Sequence, residues 1–418
     1  MTMQKTLKII FGLAIGFAQP AIASPELPSQ QPVEILPLEV TADGLAGVGG
    51  ERLRAELGDA QFVAVGEDHG FAGSPMLAAA LGKELERVKG PPVYHVVEVG
   101  PFSTRHVSHI LRKEGLAGLD RIVDEQPSVW PFLANLDDAT LALPFAKSGR
   151  LWGIDQEFIG SAPLLFSLLM ARTRDPEVRR QLADWSVSDR IALSKGKFDE
   201  AWMITADQSR FDALRSAFSG DKVGLRLIDA LFESARIYKY NSAERYFENN
   251  QERAKLFASY FLAQYRAVKG PPPRVLFKMG AYHLGRGVTP TSIFDIGSIL
   301  PGLSAAQSRR SLHIAFIPLS GEVRSIAPTA QGFTRVSNYE DDTAAKLLAG
   351  AGIAIEAVPA QGLALIPLEP IRQRMTGKAR RDWPELARFV ALGYDYLVTT
   401  RDAVAATNFE AWTIPAPK

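Results

Sequence analysis

The stretch Leu57-Gly58-Asp59-Ala60-Gln61-Phe62-Val63-Ala64-Val65-Gly66-Glu67-Asp68-His69-Gly70 runs from a polar turn through four successive apolar residues into an acid pair, an imidazole and a glycine. Apolar residues in direct succession, rather than alternation, suit a strand covered on both faces, as in a parallel or mixed α/β sheet. Charged groups at the end of such a strand are costly to desolvate unless they are paired or bind something. In open α/β sheets the carboxyl ends of the strands are where ligands sit. The stretch therefore reads as a buried strand with a polar site at its C-terminal end.

Working outward, similar apolar runs are Val93–Val99, Leu151–Asp155, Val275–Gly280, Leu312–Pro318 and Tyr396–Thr399. Three of them also end in polar chemistry: Val96-Val97 enters Glu98, Trp152-Gly153-Ile154 enters Asp155-Gln156-Glu157, and Val275–Phe277 leads to Lys278, Tyr282 and His283. If these strands are parallel neighbours, their ends converge on one rim holding two imidazoles and several carboxylates. That is the composition of a general acid/base or metal site. The candidates are Glu67, His69, Glu98, Asp155 and His283, with Glu157 less favoured and Asp68 read as a turn residue. Lys278 and Tyr282 rank lower, because alternation along a strand turns one of two neighbours away from any site.

Each candidate also has a plain structural role open to it. Glu67 and Asp68 are placed to cap the helix near Ser74, Glu98 to pair with Arg105, and Asp155 or Glu157 to cap a helix near Ser161. His106 and His109, at i and i+3, are expected on an exposed helix face, and His95 and His313 inside strands. The chain has no G-x-S-x-G elbow, no H-E-x-x-H and no phosphate-binding glycine loop.

The 418 residues carry 47 Lys+Arg against 46 Asp+Glu, a balance that argues against a nucleic-acid partner and leaves a small-molecule or peptide substrate. The absence of Cys removes disulfides, thiolate metal sites and Cys nucleophiles. Any metal would be held by His, Asp, Glu, Tyr or water. Such hard O and N donors favour Mn²⁺, Zn²⁺ or Co²⁺, with His69, Glu98 and His283 as the conditional ligand set.

Lys5 and Lys8 precede an apolar run, Ile9–Ala23, that ends in Ala21-Ile22-Ala23, the grammar of a cleaved signal. The expected organisation is a signal peptide at 1–23, a Pro/Ser/Gln-rich leader at 24–39, and a single α/β domain over 40–418 with a helical insertion at about 160–270. The last insertion helix, about 242–268, is expected to place Tyr246, Phe257, Phe261 and Tyr265 near one side. After cleavage the protein is expected in the periplasm or secreted, with no stable membrane insertion.

The phrase Leu57–Gly70, with its Gly66-Glu67-x-His69 core, resembles the opening motif of the erythromycin-esterase/ChaN-like superfamily, which groups with TraB/Tiki proteins. Glu98 resembles the second acidic motif, Trp152-Gly153-Ile154-Asp155 the Gly-x-Asp motif, and Gly280-Ala281-Tyr282-His283 the late Gly-x-x-His motif. The resemblance implies an α/β fold, a central mostly parallel or mixed sheet covered by helices, with these motifs in one cleft. It implies either a hydrolase whose Glu and His activate water against an ester, lactone or amide, metal-assisted or not, or a haem- or iron-ligand-binding protein without turnover. A haem slot would be roofed by Trp152 and Phe158. The Arg-rich helix motif of esterase-like members has its loose counterpart at Asn241–Asn250, with Arg245.

Overall fold

In chain order the strands are β1 (Leu36–Thr41), β2 (Gly44–Ala46), β3 (Ala60–Glu67), β4 (Val93–Val97), β5 (Leu151–Gly153), β6 (Arg274–Gly280), β7 (Arg310–Phe316), β8 (Glu322–Thr329), β9 (Gly332–Asn338), β10 (Leu363–Pro367) and β11 (Tyr396–Thr399). This is a computed structural model, and it describes residues 31–329, 332–375 and 382–409. The expected signal peptide at 1–23 lies outside the described residues. None of the described helices is long and apolar enough to cross a membrane.

One sheet has the order β2-β1-β10-β11-β7-β3-β6-β4-β5, and β8–β9 form a separate antiparallel pair. From β11 to β5 every neighbour is parallel. These six strands are the six apolar runs expected from the sequence. The fold is mixed α/β around a mostly parallel sheet.

β3 lies inside the sheet, between β7 and β6, and all of its residues are buried. Its alternation feeds two separate cores: Val63 and Val65 enter one, Phe62 and Ala64 the other. Helices cover both faces, which explains why the strand is apolar without interruption. The helices Gly73–Arg87 and Leu136–Lys147 supply the first core, and Tyr246–Ala267 and Ile296–Ala305 the second.

Sheet pairing begins at Leu36, inside the stretch expected as leader. Leu36, Leu38 and Val40 point inward while Pro37, Glu39 and Thr41 are exposed, so this short segment does alternate and pairs with β10. Between β5 and β6 the chain is helical throughout, in Ala162–Met170, Pro176–Ser194, Gln208–Ala217, Lys222–Ser242 and Tyr246–Ala267, with shorter turns between. In the last of these, Phe257 and Phe261 are fully buried, whereas Tyr246 is exposed instead of joining their side.

Candidate active site at the carboxyl rim

Because β3, β6 and β4 are parallel neighbours, their C-terminal ends bring Glu67, His69, Glu98 and His283 together. His69 follows β3. Its Nδ1 lies 2.8 Å from Glu67 Oε1, and its Nε2 lies 3.6 Å from Glu98 Oε2. His283 sits in the short helix Ala281–Leu284 after β6. Its Nδ1 lies 2.7 Å from Asp295 Oδ2, and its Nε2 lies 3.4 Å from Glu98 Oε1. Each imidazole thus has a carboxylate of its own on Nδ1 and turns Nε2 toward the shared Glu98.

Glu98 is fixed from two other directions. Gly280 donates its N–H to Glu98 Oε2 at 2.7 Å, and Arg253 donates to Oε1 at 2.8 Å. Arg253 also donates twice to Asp155, at 3.0 and 2.6 Å. The glycine is required here: a Cβ on Gly280 would lie 2.9 Å from His69 Nε2. On the other side, Lys278 donates to Glu67 at 2.6 Å and pairs with Asp138 at 2.7 Å. Phe277 and Met279 belong to the second core, so Lys278 projects to the opposite face and reaches both acids.

The charge states follow from these contacts. Burial alone would raise the Glu67 carboxyl, but Lys278 and then His69 bring it down to about 2. Glu98 is held well below the usual carboxylate range: burial opposes ionisation, and His283 and His69 outweigh it. Burial disfavours the His283 cation, yet Asp295 and then Glu98 push the imidazole up to about 9. His69 is also raised, because Glu98 and Glu67 overcome its burial. The Asp155 carboxyl is raised by burial despite Arg253. The two imidazoles differ in access. The His69 side chain is 34% exposed and the His283 side chain 11%.

The site lines a cleft of about 560 Å³. All five leading candidates, Glu67, His69, Glu98, Asp155 and His283, line it. Asp68, read as a turn residue, follows β3 and accepts a hydrogen bond from Tyr339 at 2.6 Å. Glu157 caps neither Ser161 nor the cleft. It accepts from the Phe102 and Ser103 N–H groups and the Ser103 hydroxyl, at the start of the helix Pro101–Lys113. Glu98 does not pair with Arg105, which instead lies over the Phe102 ring. Arg245 does not enter the site. It pairs with Glu248 on the surface, and Arg253, two turns further along the same helix, fills the cationic place. Arg253, Asp295 and Asp138 carried no sequence signal. A strand-end Asp or Glu stands out, whereas one Arg in a long polar helix does not.

His95 and His313 are structural, hydrogen-bonded to the carbonyls of Leu276 and Leu284. Among the described residues no group of three or more His, Asp or Glu is arranged to hold a metal ion. His69, Glu98 and His283 do meet, but both Glu98 oxygens already accept from Gly280 and Arg253, and a guanidinium beside them opposes a second cation. The residues present do not fit a bound divalent ion. The expected haem roof is half present: Phe158 lines the cleft, while Trp152 is buried in the core between Tyr94 and Phe261.

No protein-family model matches the sequence, and no curated protein matches it. Three solved structures are similar in fold. An erythromycin esterase mutant, EreC, in its open conformation is 15% identical, with a TM-score of 0.52 over 85% of this chain and 94% of that one. A Bacillus cereus protein is 10% identical, with a TM-score of 0.51 over 90% and 96%. A succinoglycan biosynthesis protein is 11% identical, with a TM-score of 0.51 over 85% and 91%. At these identities the likeness is one of architecture, and it gives this chain an erythromycin-esterase-like fold.

Proposed function

We propose that the protein is a hydrolase that activates water against an ester, lactone or amide carbonyl. The observation that carries this reading is the pairing of two imidazoles across Glu98, each with Nδ1 held by a separate carboxylate. A carboxylate on Nδ1 fixes the tautomer and aims Nε2 at the reacting atoms, the logic of a base held by an orienting acid.

In this mechanism the neutral form of His69, its Nδ1–H donated to Glu67, takes a proton from water at Nε2. The oxygen of that water attacks the carbonyl carbon. His283, cationic at neutral pH because its imidazole is pushed up to about 9, donates from Nε2 to the developing oxyanion and then to the leaving group. Glu98 lies between them and stabilises the charge that moves from one ring to the other. Lys278 keeps Glu67 ionised, and His283, His69 and, behind them, Arg253 keep Glu98 ionised. Because the base must be neutral and the acid cationic, the rate is bell-shaped in pH: deprotonation of the raised His69 imidazole sets the acid limb and loss of the His283 proton at about 9 the alkaline limb.

The test is a panel of aryl esters, lactones and amides assayed with wild type, His69→Ala, His283→Ala and Glu98→Gln, each checked for folding by circular dichroism. The expected outcome is ester or lactone turnover that each substitution lowers by roughly a hundredfold or more. Turnover that survives both histidine substitutions would exclude this mechanism. We also propose export, on the strength of the signal-like residues 1–23. Amino-terminal sequencing of protein recovered from the periplasm or the culture medium, with Ser24 first, is the check.

A further inference from the structure

The cleft that holds the imidazoles is not the whole cavity at the rim. A second chamber of about 450 Å³ adjoins it and shares Glu67, Asp68, His69, Pro131, Phe132 and Ile326 with the first. The boundary between the two is the Phe132 ring, stacked on the His69 imidazole with centroids 4.1 Å apart and planes 21° from parallel. The chambers differ in chemistry. The first contains the shared Glu98 with Arg253, Tyr238 and His283. The walls of the second are largely apolar: Val123, Trp130, Ala134, Val323 and Phe333. Its charged groups are already committed. Arg324 donates to the Ala406 carbonyl and to Thr334, Asp68 accepts from Tyr339, and Asp138 pairs with Lys278.

A space with largely apolar walls, three acids and one guanidinium that already donates to the Ala406 carbonyl and Thr334 disfavours a carboxylate or phosphate and suits a neutral apolar group. Its entrance is the ring that stacks on the proposed general base, so a group lodged there belongs to a molecule whose reacting carbonyl lies beside His69. We propose that the second chamber is a substrate subsite for a neutral, apolar acyl or alkyl flank, and that Phe132 is the positioning residue at its entrance. The substrate is then a carbonyl compound with one flank in each chamber. This inference rests on the hydrolase reading. Its reaction adds no new step: the C–O or C–N bond that breaks and the proton transfers are those already given.

The experiment uses the full-length protein and two probes, a series of p-nitrophenyl esters from acetyl to octanoyl and a non-hydrolysable neutral analogue, octyl methyl ketone. In wild type, kcat/KM is expected to rise about fourfold per methylene until the chamber is filled. Val323→Phe, which narrows the chamber from β8, is expected to lower octanoyl turnover at least tenfold and acetyl turnover less than twofold. Calorimetry is expected to show the ketone binding to wild type and at least tenfold more weakly to Val323→Phe. Ala134→Phe is a second filling variant, for the case that the first does not fold. Equal loss on short and long esters, or no dependence on chain length, would overturn the subsite. Ketone binding that Val323→Phe weakens, without turnover of any ester, would keep the subsite and refute the hydrolase instead.

Discussion

Asp295→Asn changes one oxygen to an amide nitrogen at the site and leaves the shape of the side chain intact. Asp295 holds the His283 Nδ1 at 2.7 Å and also caps the helix Ile296–Ala305 through the Ile296 N–H. It is the largest of the charges that lift the His283 imidazole from 6.5 to about 9, with Glu98 second. That rise corresponds to about 3 kcal/mol at roughly 1.4 kcal/mol per pH unit. An Asn still accepts from Nδ1–H through its carbonyl but carries no charge, so at least about 1 pH unit of the rise should disappear. The alkaline limb of kcat/KM should therefore move down by that amount, with roughly a fivefold loss near pH 9, approaching tenfold above it, and less than about threefold near pH 7. A pH-stat assay on an activated ester reads the limb, and a ¹⁵N NMR titration of the His283 ring reads the same ionisation without turnover. A limb and a titration within about 0.3 pH unit of wild type would refute the account of His283 as an acid raised by its carboxylate.

Other expectations follow from the same contacts. Lys278→Met leaves Glu67 and Asp138 buried without their cation and should cost about 3–5 kcal/mol in urea unfolding; a loss below about 1 kcal/mol would mean that the acids are not charged in the folded state. Gly280→Ala places a Cβ against His69 Nε2, and should lower kcat/KM roughly tenfold or more with only about 1 kcal/mol of destabilisation, by stopped-flow or steady-state rates beside thermal melts. Arg253→Lys keeps the charge but not the fork that reaches Asp155 and Glu98 together, so it should retain stability better than Arg253→Met while both lose activity; equal stability of the two would show that the charge is not used. The raised His283 pKa stabilises the fold fully below about pH 6.5 and ceases to do so as pH rises through about 9, so the melting difference between wild type and Asp295→Asn should shrink toward alkaline pH.

What the sequence revealed and what it hid have separate physical causes. Phe62–Val65, Leu312–Phe316 and their counterparts are apolar on consecutive residues because both faces of the sheet are covered, and this signal is strong in one dimension. The antiparallel strands β1, β2 and β10 and the hairpin β8–β9 are short or half-exposed, so their patterns are faint. Glu67, His69, Glu98, Asp155 and His283 were visible because they stand at the ends of such runs. Arg253 and Asp295 belong to a helix and a loop whose orientation toward the rim depends on packing over long separations, and Phe132 lies in the irregular segment between the helices Leu116–Glu125 and Leu136–Lys147.

The hairpin β8–β9 stands outside the main sheet, yet it touches both chambers through Ile326 and is pinned at its far end by Tyr339 on Asp68. Helix Glu385–Gly393 adds Leu386, Phe389 and Val390 to the wall of the first chamber from a distant part of the chain. Chemistry and selectivity are thus carried by different stretches of polypeptide. Descendants of such a protein can recut the walls for a new molecule by exchanging the hairpin, which carries none of the proton-handling groups at the carboxyl rim.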